Sequence, residues 1–142
     1  MLRPRPGPWR QNFYRRKETL GLFKGETRYV QFEDLRVLLT LSDVVISGGS
    51  TMILEALILK KPVIAYLPKK LDHDFQAFED AGAILVARTK EELFRQVSHL
   101  KVLENRETLV KLADNFLREN FILDGKSSER VLVLVRRVAK HT

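Results

Sequence analysis

The sequence predicts an α/β domain, a three-layer Rossmann-like arrangement of a parallel sheet of about four to five strands, finished by C-terminal helices. Three observations carry that reading. Short apolar or β-branched runs alternate with helix-period segments from residue 27 onward. Several of the strand-like runs are apolar throughout, as strands covered on both faces of a parallel sheet are. Strand and helix in alternation build such a sheet through right-handed crossovers that lay helices against its faces.

The elements follow in order. Thr27 to Phe32 is β-branched and aromatic and reads as a first strand. Glu33 to Ser42 spaces Leu35, Leu38, Leu39 and Leu41 as a helix does. Val44 to Ser47, an apolar run that ends in glycines, reads as a buried parallel strand. Ser50 to Lys61 reads as a helix that is apolar nearly all round. Pro62 lacks an N–H for the ladder, so it opens the strand Val63 to Leu67 instead of sitting inside it. A helix from Asp72 to Asp80, closed by Gly82, leads to a further strand from Ile84 to Ala87.

Three helices finish the chain. Thr89 and Glu92 form a capping box for the first, which turns Leu93, Val97 and Leu100 inward. The second carries Leu109, Leu112, Ala113, Phe116 and Leu117 on one amphipathic stripe. The third follows an Asp124-Gly125 turn and carries Val131, Leu134, Val135 and Val138.

Composition bounds the function. A chain of 142 residues with 44% hydrophobic and 30% charged residues suits one globular domain and no multi-domain machine. The absence of cysteine excludes a disulfide scaffold, a zinc ribbon and a thiol nucleophile, and three widely spaced histidines argue against a metal site. Val44 to Leu59 is interrupted by Glu55 and falls short of the roughly 20 apolar residues of a membrane span. Met1 is followed by Arg and Pro instead of an apolar signal core, so a cytoplasmic location is expected, with a peripheral membrane contact as an option.

The net charge of +7 is unevenly placed. Residues 1 to 17 carry six basic residues and no acid, whereas the remaining 19 basic residues face all 18 acidic ones. The expected organisation is therefore a basic arm, or a partial first strand and linker, over 1–26, followed by the domain over 27–142. An arm with Trp9, Phe13 and Tyr14 interleaved suits an anionic membrane or a membrane-bound partner. The balanced body disfavours a nucleic-acid groove.

The chemistry gathers at Ser47-Gly48-Gly49-Ser50-Thr51, where a strand gives way to a helix. Ligands of parallel sheets bind at such carboxyl ends. Glycines let backbone approach a ligand closely, and the N–H groups opening the next helix favour a phosphate. Ser50 or Thr51 can cap that helix. The turn lacks both the Gly-x-Gly-x-x-Gly spacing and the lysine of a P-loop. Glu55 is the lone charge of an apolar stretch and is expected to be buried, where a carboxylate needs hydrogen bonds. It shares a face with Thr51 and can accept two ribose hydroxyls. A structural ion pair with Lys69 or Arg36 is the alternative.

Leu35 through Val63 resembles the donor-binding half of GT-B glycosyltransferases and the related UDP-N-acetylglucosamine 2-epimerases. In that pattern an aspartate precedes a strand, a small-residue turn follows it, and a glutamate seven residues before a proline binds the nucleotide ribose. Asp43, Gly48, Gly49, Ser50, Thr51, Glu55 and Pro62 occupy those places, while Lys60 stands where the family carries a glycine. The stretch Asp72-His73-Asp74-Phe75-Gln76-Ala77 is similar to the family's segment that closes over the donor sugar and phosphates. The resemblance implies a UDP-sugar as substrate, no resident cofactor, and sites at Gly48, Gly49, Ser50, Thr51, Glu55, Lys69, His73, Asp74 and Gln76. Lys69 would neutralise a diphosphate, and His73 would meet a phosphate or act as an acid. Sugar transfer also needs an acceptor and usually a base, so a separate acceptor-binding subunit is implied. Two rivals remain: a 2-epimerase-like fragment, and a non-catalytic basic-arm module for RNA or anionic membrane.

Overall fold

The computed structural model describes residues 34–68 and 75–139. The basic arm, the expected strand at 27–32, and Lys69, His73 and Asp74 lie outside the described residues. The chain divides into two compact units at the Leu41–Ser42 junction. Of the first unit, the described part is helix α1 (Leu35–Leu41), which buries Leu39. Asp34 opens this helix, its carboxylate accepting from Arg36 N at 2.8 Å and its carbonyl from Leu38 N at 3.1 Å.

The second unit is built on a parallel sheet of β1 (Val45–Ser47), β2 (Val63–Tyr66) and β3 (Leu85–Ala87), in the order β1-β2-β3. Val45 pairs with Val63, and Ile64 with Leu85. Among the described residues the sheet therefore has three strands and not the four to five expected. The central strand fits expectation, because Val63, Ile64 and Ala65 are fully buried and both its faces are covered. Pro62 sits at its start and still accepts a ladder bond from Val45 N at 2.9 Å through its carbonyl. Strand β1 departs from the expected buried run: Val45 and Ser47 point inward, but Ile46 is 48% exposed. Alternation of side chains puts Ile46 on a face of β1 that the described residues leave open.

Helix α2 (Met52–Ile58) packs on β1 and β2, and α4 (Lys90–His99) on β2 and β3. Ile64, Ala87, Leu100 and Leu109 form a shared core, with Leu93 and Val97 packed against it as their spacing implied. The capping box is present: Glu92 N donates to Thr89 Oγ1 at 3.1 Å, and Glu92 Oε2 accepts from Thr89 N at 3.3 Å. Helix α5 (Leu103–Asn120) buries Leu109, Ala113, Phe116 and Leu117 and packs on α2. Phe116 also meets Phe78 of α3 (Gln76–Asp80), ring centres 4.7 Å apart, which ties α3 to α5.

Two helices end in the same turn. After α3, Gly82 N donates to Glu79 O at 2.9 Å and Ala83 N to Phe78 O at 2.8 Å, with Gly82 at φ +65°. After α2, Lys60 N donates to Leu57 O and Lys61 N to Ala56 O, both at 2.9 Å, with Lys60 at φ +57°. Both are Schellman closures, which place one residue in the left-handed region that glycine enters without penalty. Lys60 makes that turn with a side chain, the sole non-glycine at positive φ among the described residues.

The last helix, α6 (Ser127–Ala139), differs from the rest. It buries no residue: Val131, Leu134, Val135 and Val138 are 56–61% exposed. Its start is held locally, by Arg130 on Asp124 at 2.7 Å and by Lys126 N on Asp124 Oδ1 at 3.0 Å. The Arg130 guanidinium keeps the Asp124 carboxyl below its ordinary range. No helix among the described residues is long and apolar enough to cross a membrane.

Candidate functional site

Beyond Ser47 the chain turns through Gly48 and Gly49 before α2 begins. Gly49 lies at φ +79°, where any side chain is strained, and a Cβ there would stand 3.3 Å from Leu67 Cδ2, which would have to shift by a few tenths of an ångström. Gly48 is less constrained, since a Cβ would meet only Tyr66 O at 4.0 Å. Ser50 caps the helix. Its Oγ accepts from Met52 N at 3.4 Å and its carbonyl from Ile53 N at 2.9 Å, while the Thr51 side chain makes no capping bond. The N–H groups of Gly49, Ser50 and Thr51 donate to no acceptor among the described residues. Three donors thus remain available at the carboxyl edge of the sheet, the arrangement that anion-binding turns use.

Glu55 corrects an expectation. It is exposed, not buried, because α2 turns Ile53, Ala56 and Leu57 to the sheet and leaves position 55 outward. An exposed carboxylate there bears no desolvation cost that would call for buried hydrogen bonds. Within the described part of its own unit no cation or donor reaches the Glu55 carboxylate. Thr51, one turn earlier, is exposed as well, so hydroxyl and carboxylate stand on one outward face beside the Gly-Gly turn.

No protein-family model, curated protein or solved structure matches this chain.

The other expected residues divide. Lys69, His73 and Asp74 are outside the described residues. Gln76 opens α3, but its amide donates to Asp80 Oδ1 at 2.8 Å on an exposed surface, which engages it within its own helix. The residues brought together are therefore Gly48, Gly49, Ser50, Thr51 and Glu55.

Sequence reasoning passed over Arg88, which follows β3 at the same carboxyl edge. Its guanidinium grips Glu79 in a two-pronged pair at 3.1 and 3.2 Å, and its backbone N–H donates to Glu92 at 2.6 Å. The hydrogen bonds to Glu79 raise the Arg88 pKa above its usual value. Arg88 thereby pins α3 to the end of β3. An arginine directly after a strand, with a glutamate on the helix before it, was the available signal.

A cleft of about 530 Å³ lies at the opposite, amino edge, between the turns before β1 and β2 and one face of α5. Its charges largely answer one another. Arg106 stands 3.6 Å from Asp43, Asp114 is held by Arg118 at 2.9 Å, and Lys60, Lys61, Glu107 and Lys111 mix both signs around them. Arg106 Nε is the buried side-chain nitrogen that finds no acceptor among the described residues. The cleft has volume without a set of donors or acceptors converging on one ligand, whereas the carboxyl edge has converging groups without an enclosing wall.

Proposed function

We propose that this chain is the donor-binding half of a GT-B-type glycosyltransferase, holding a UDP-sugar at the carboxyl edge of a Rossmann-like sheet and transferring the sugar only with a separate acceptor-binding half. The observation that carries the reading is Glu55: an exposed carboxylate, unpaired among the described residues, one turn into the helix that follows the Gly48-Gly49 turn. A carboxylate there accepts two vicinal ribose hydroxyls, and the free N–H groups of Gly49, Ser50 and Thr51 face the phosphates. Helix α2 has seven residues, so phosphate recognition rests on these N–H groups more than on a macrodipole. On this reading transfer itself takes place in the assembled pair, where the acceptor is held.

Calorimetric titration of the full chain with UDP, ADP, GDP and CDP tests the reading. Weak binding, tightest for UDP, is expected from half of a closed site. Absence of binding to all four at millimolar concentration overturns it.

A further inference from the structure

We infer that α6 is an interfacial helix that lays its apolar face on an anionic lipid surface. The helix is thirteen residues long, about 20 Å at 1.5 Å per residue, too short to span a hydrocarbon core of about 30 Å. It does not stabilise itself. Isolated helices of this length are marginal in water, and four of its residues are valines, whose branched side chains lose rotamer freedom in a helix. Helices of this kind persist by burying their apolar face, yet Val131, Leu132, Leu134 and Val135 are 48–59% exposed.

The shape and charge of that face select the occupant. At 100° per residue, the apolar positions from Leu134 through Val131 and Val135 to Leu132 sweep about 160° of the helix. A pairing seam with a second helix is narrower, an a/d stripe two positions wide. Arg130 and Arg136 stand at the two borders of the apolar arc, with Arg137 behind Arg130 and Val133 alone interrupting the polar side; Arg130 is already paired with Asp124, so the positive charge open to a partner is that of Arg136 and Arg137. From Lys126 to Lys140 the sequence carries five basic residues and one acid, Glu129. Two copies pairing through this face would bring like-charged borders together. Anionic headgroups meet the same borders favourably, with the arginine stems lying along the acyl boundary. The polar flank is thus complementary to anionic lipid, and the wide apolar arc to a plane.

Co-sedimentation of the full chain with vesicles of phosphatidylcholine and phosphatidylglycerol, and of phosphatidylcholine alone, tests the inference. Binding is expected on the anionic vesicles at low salt. The pair R136Q and R137Q should lower the partition coefficient roughly thirtyfold, which corresponds to about 2 kcal/mol for two basic residues at the surface. The pair V131S and V135S should lower it at least tenfold while leaving the melting temperature nearly unchanged, since neither position is buried. Retention of full binding by V131S with V135S overturns the inference, because the attraction would then be charge alone. So does a dimer at sedimentation equilibrium that the same two substitutions dissociate, which would identify a second copy as the occupant. Absence of partitioning onto anionic vesicles overturns it as well.

Discussion

At the carboxyl edge of the sheet, Glu55 and the N–H groups of Gly49, Ser50 and Thr51 stand without partners among the described residues. At the amino edge, Asp43 and Arg106 approach to 3.6 Å, and Asp114 is taken by Arg118 at 2.9 Å. The cleft of about 530 Å³ is at the second edge, where Arg106 Nε alone is a buried side-chain nitrogen without an acceptor among the described residues, and the cluster of open backbone donors beside a free carboxylate is at the first. Volume and exposed donors are thus separated in this fold; on the reading proposed above, a wall from another domain would enclose the carboxyl edge, whereas the amino-edge cleft is lined by side chains of both signs. Substitutions in the segment 48–55 should therefore affect ligand binding, and substitutions at the amino edge stability alone.

The largest effect is expected at Gly49. Valine there would hold a β-branched side chain at φ +79° and press Leu67, which stands 3.3 Å from the new Cβ. A loss of about 2 to 3 kcal/mol in urea unfolding is expected, with nucleotide binding abolished. Alanine at Gly48 makes only an ordinary contact with Tyr66 O at 4.0 Å and should leave stability nearly unchanged. An indifferent Gly49→Val would show that the turn is looser than its geometry implies.

Next in size is Glu55→Gln, which should weaken UDP binding by about 1 to 3 kcal/mol through the loss of charge-assisted hydrogen bonds. Because the carboxylate is exposed and unpaired among the described residues, the melting temperature should not move. A drop in melting temperature without loss of affinity would assign Glu55 a structural role.

At the amino edge the sign reverses. Lys60 holds φ +57° at a helix closure suited to glycine, so Lys60→Gly should stabilise the fold by up to about 1 kcal/mol and leave UDP affinity unchanged. Thermal and chemical unfolding read the first, calorimetry the second. A change in affinity would draw the amino-edge cleft into the binding site and break the contrast between the edges.

The smallest effect concerns the structural part of the carboxyl edge. The backbone N–H of Arg88, and then that of Thr89, hold the Glu92 carboxyl below its ordinary value of 4.5. A depressed folded-state pKa contributes stability above the unfolded value that is lost as pH falls through the folded one. Glu92→Gln should therefore flatten the acid side of the stability profile below about pH 4.5 without touching UDP affinity. Urea midpoints measured from pH 7 down to pH 3 would show an unchanged slope if the carboxylate were unimportant.

Local chemistry explains how much was legible in the sequence. Thr89 and Glu92, three residues apart, specify a capping box with no help from tertiary contacts, and Gly82 marks a helix end because few residues accept φ +65°. The central strand was legible because a β-branched apolar run behind Pro62 has few other uses. Burial at helix surfaces was less so. In α2 the apolar residues nearly encircle the helix, so composition hides that position 55 faces outward; the sheet decides it by burying Ile53, Ala56 and Leu57. Leu112 lies on the amphipathic stripe yet is 43% exposed, its methyl 3.5 Å from where a Cβ on Gly82 would stand. In α6 the pattern specifies an apolar face but not what covers it. At Lys60 the residue type gives no sign of a left-handed turn, which the backbone shows by φ +57° and the two closing hydrogen bonds.

Mapping UDP onto the backbone amides by heteronuclear NMR separates the two edges residue by residue. Shifts concentrated at Gly48, Gly49, Ser50 and Thr51, with Glu55 perturbed and Lys60, Arg106 and Lys111 still, are the expected result. Shifts confined to the amino-edge cleft around Arg106, or none at saturating nucleotide, would contradict it.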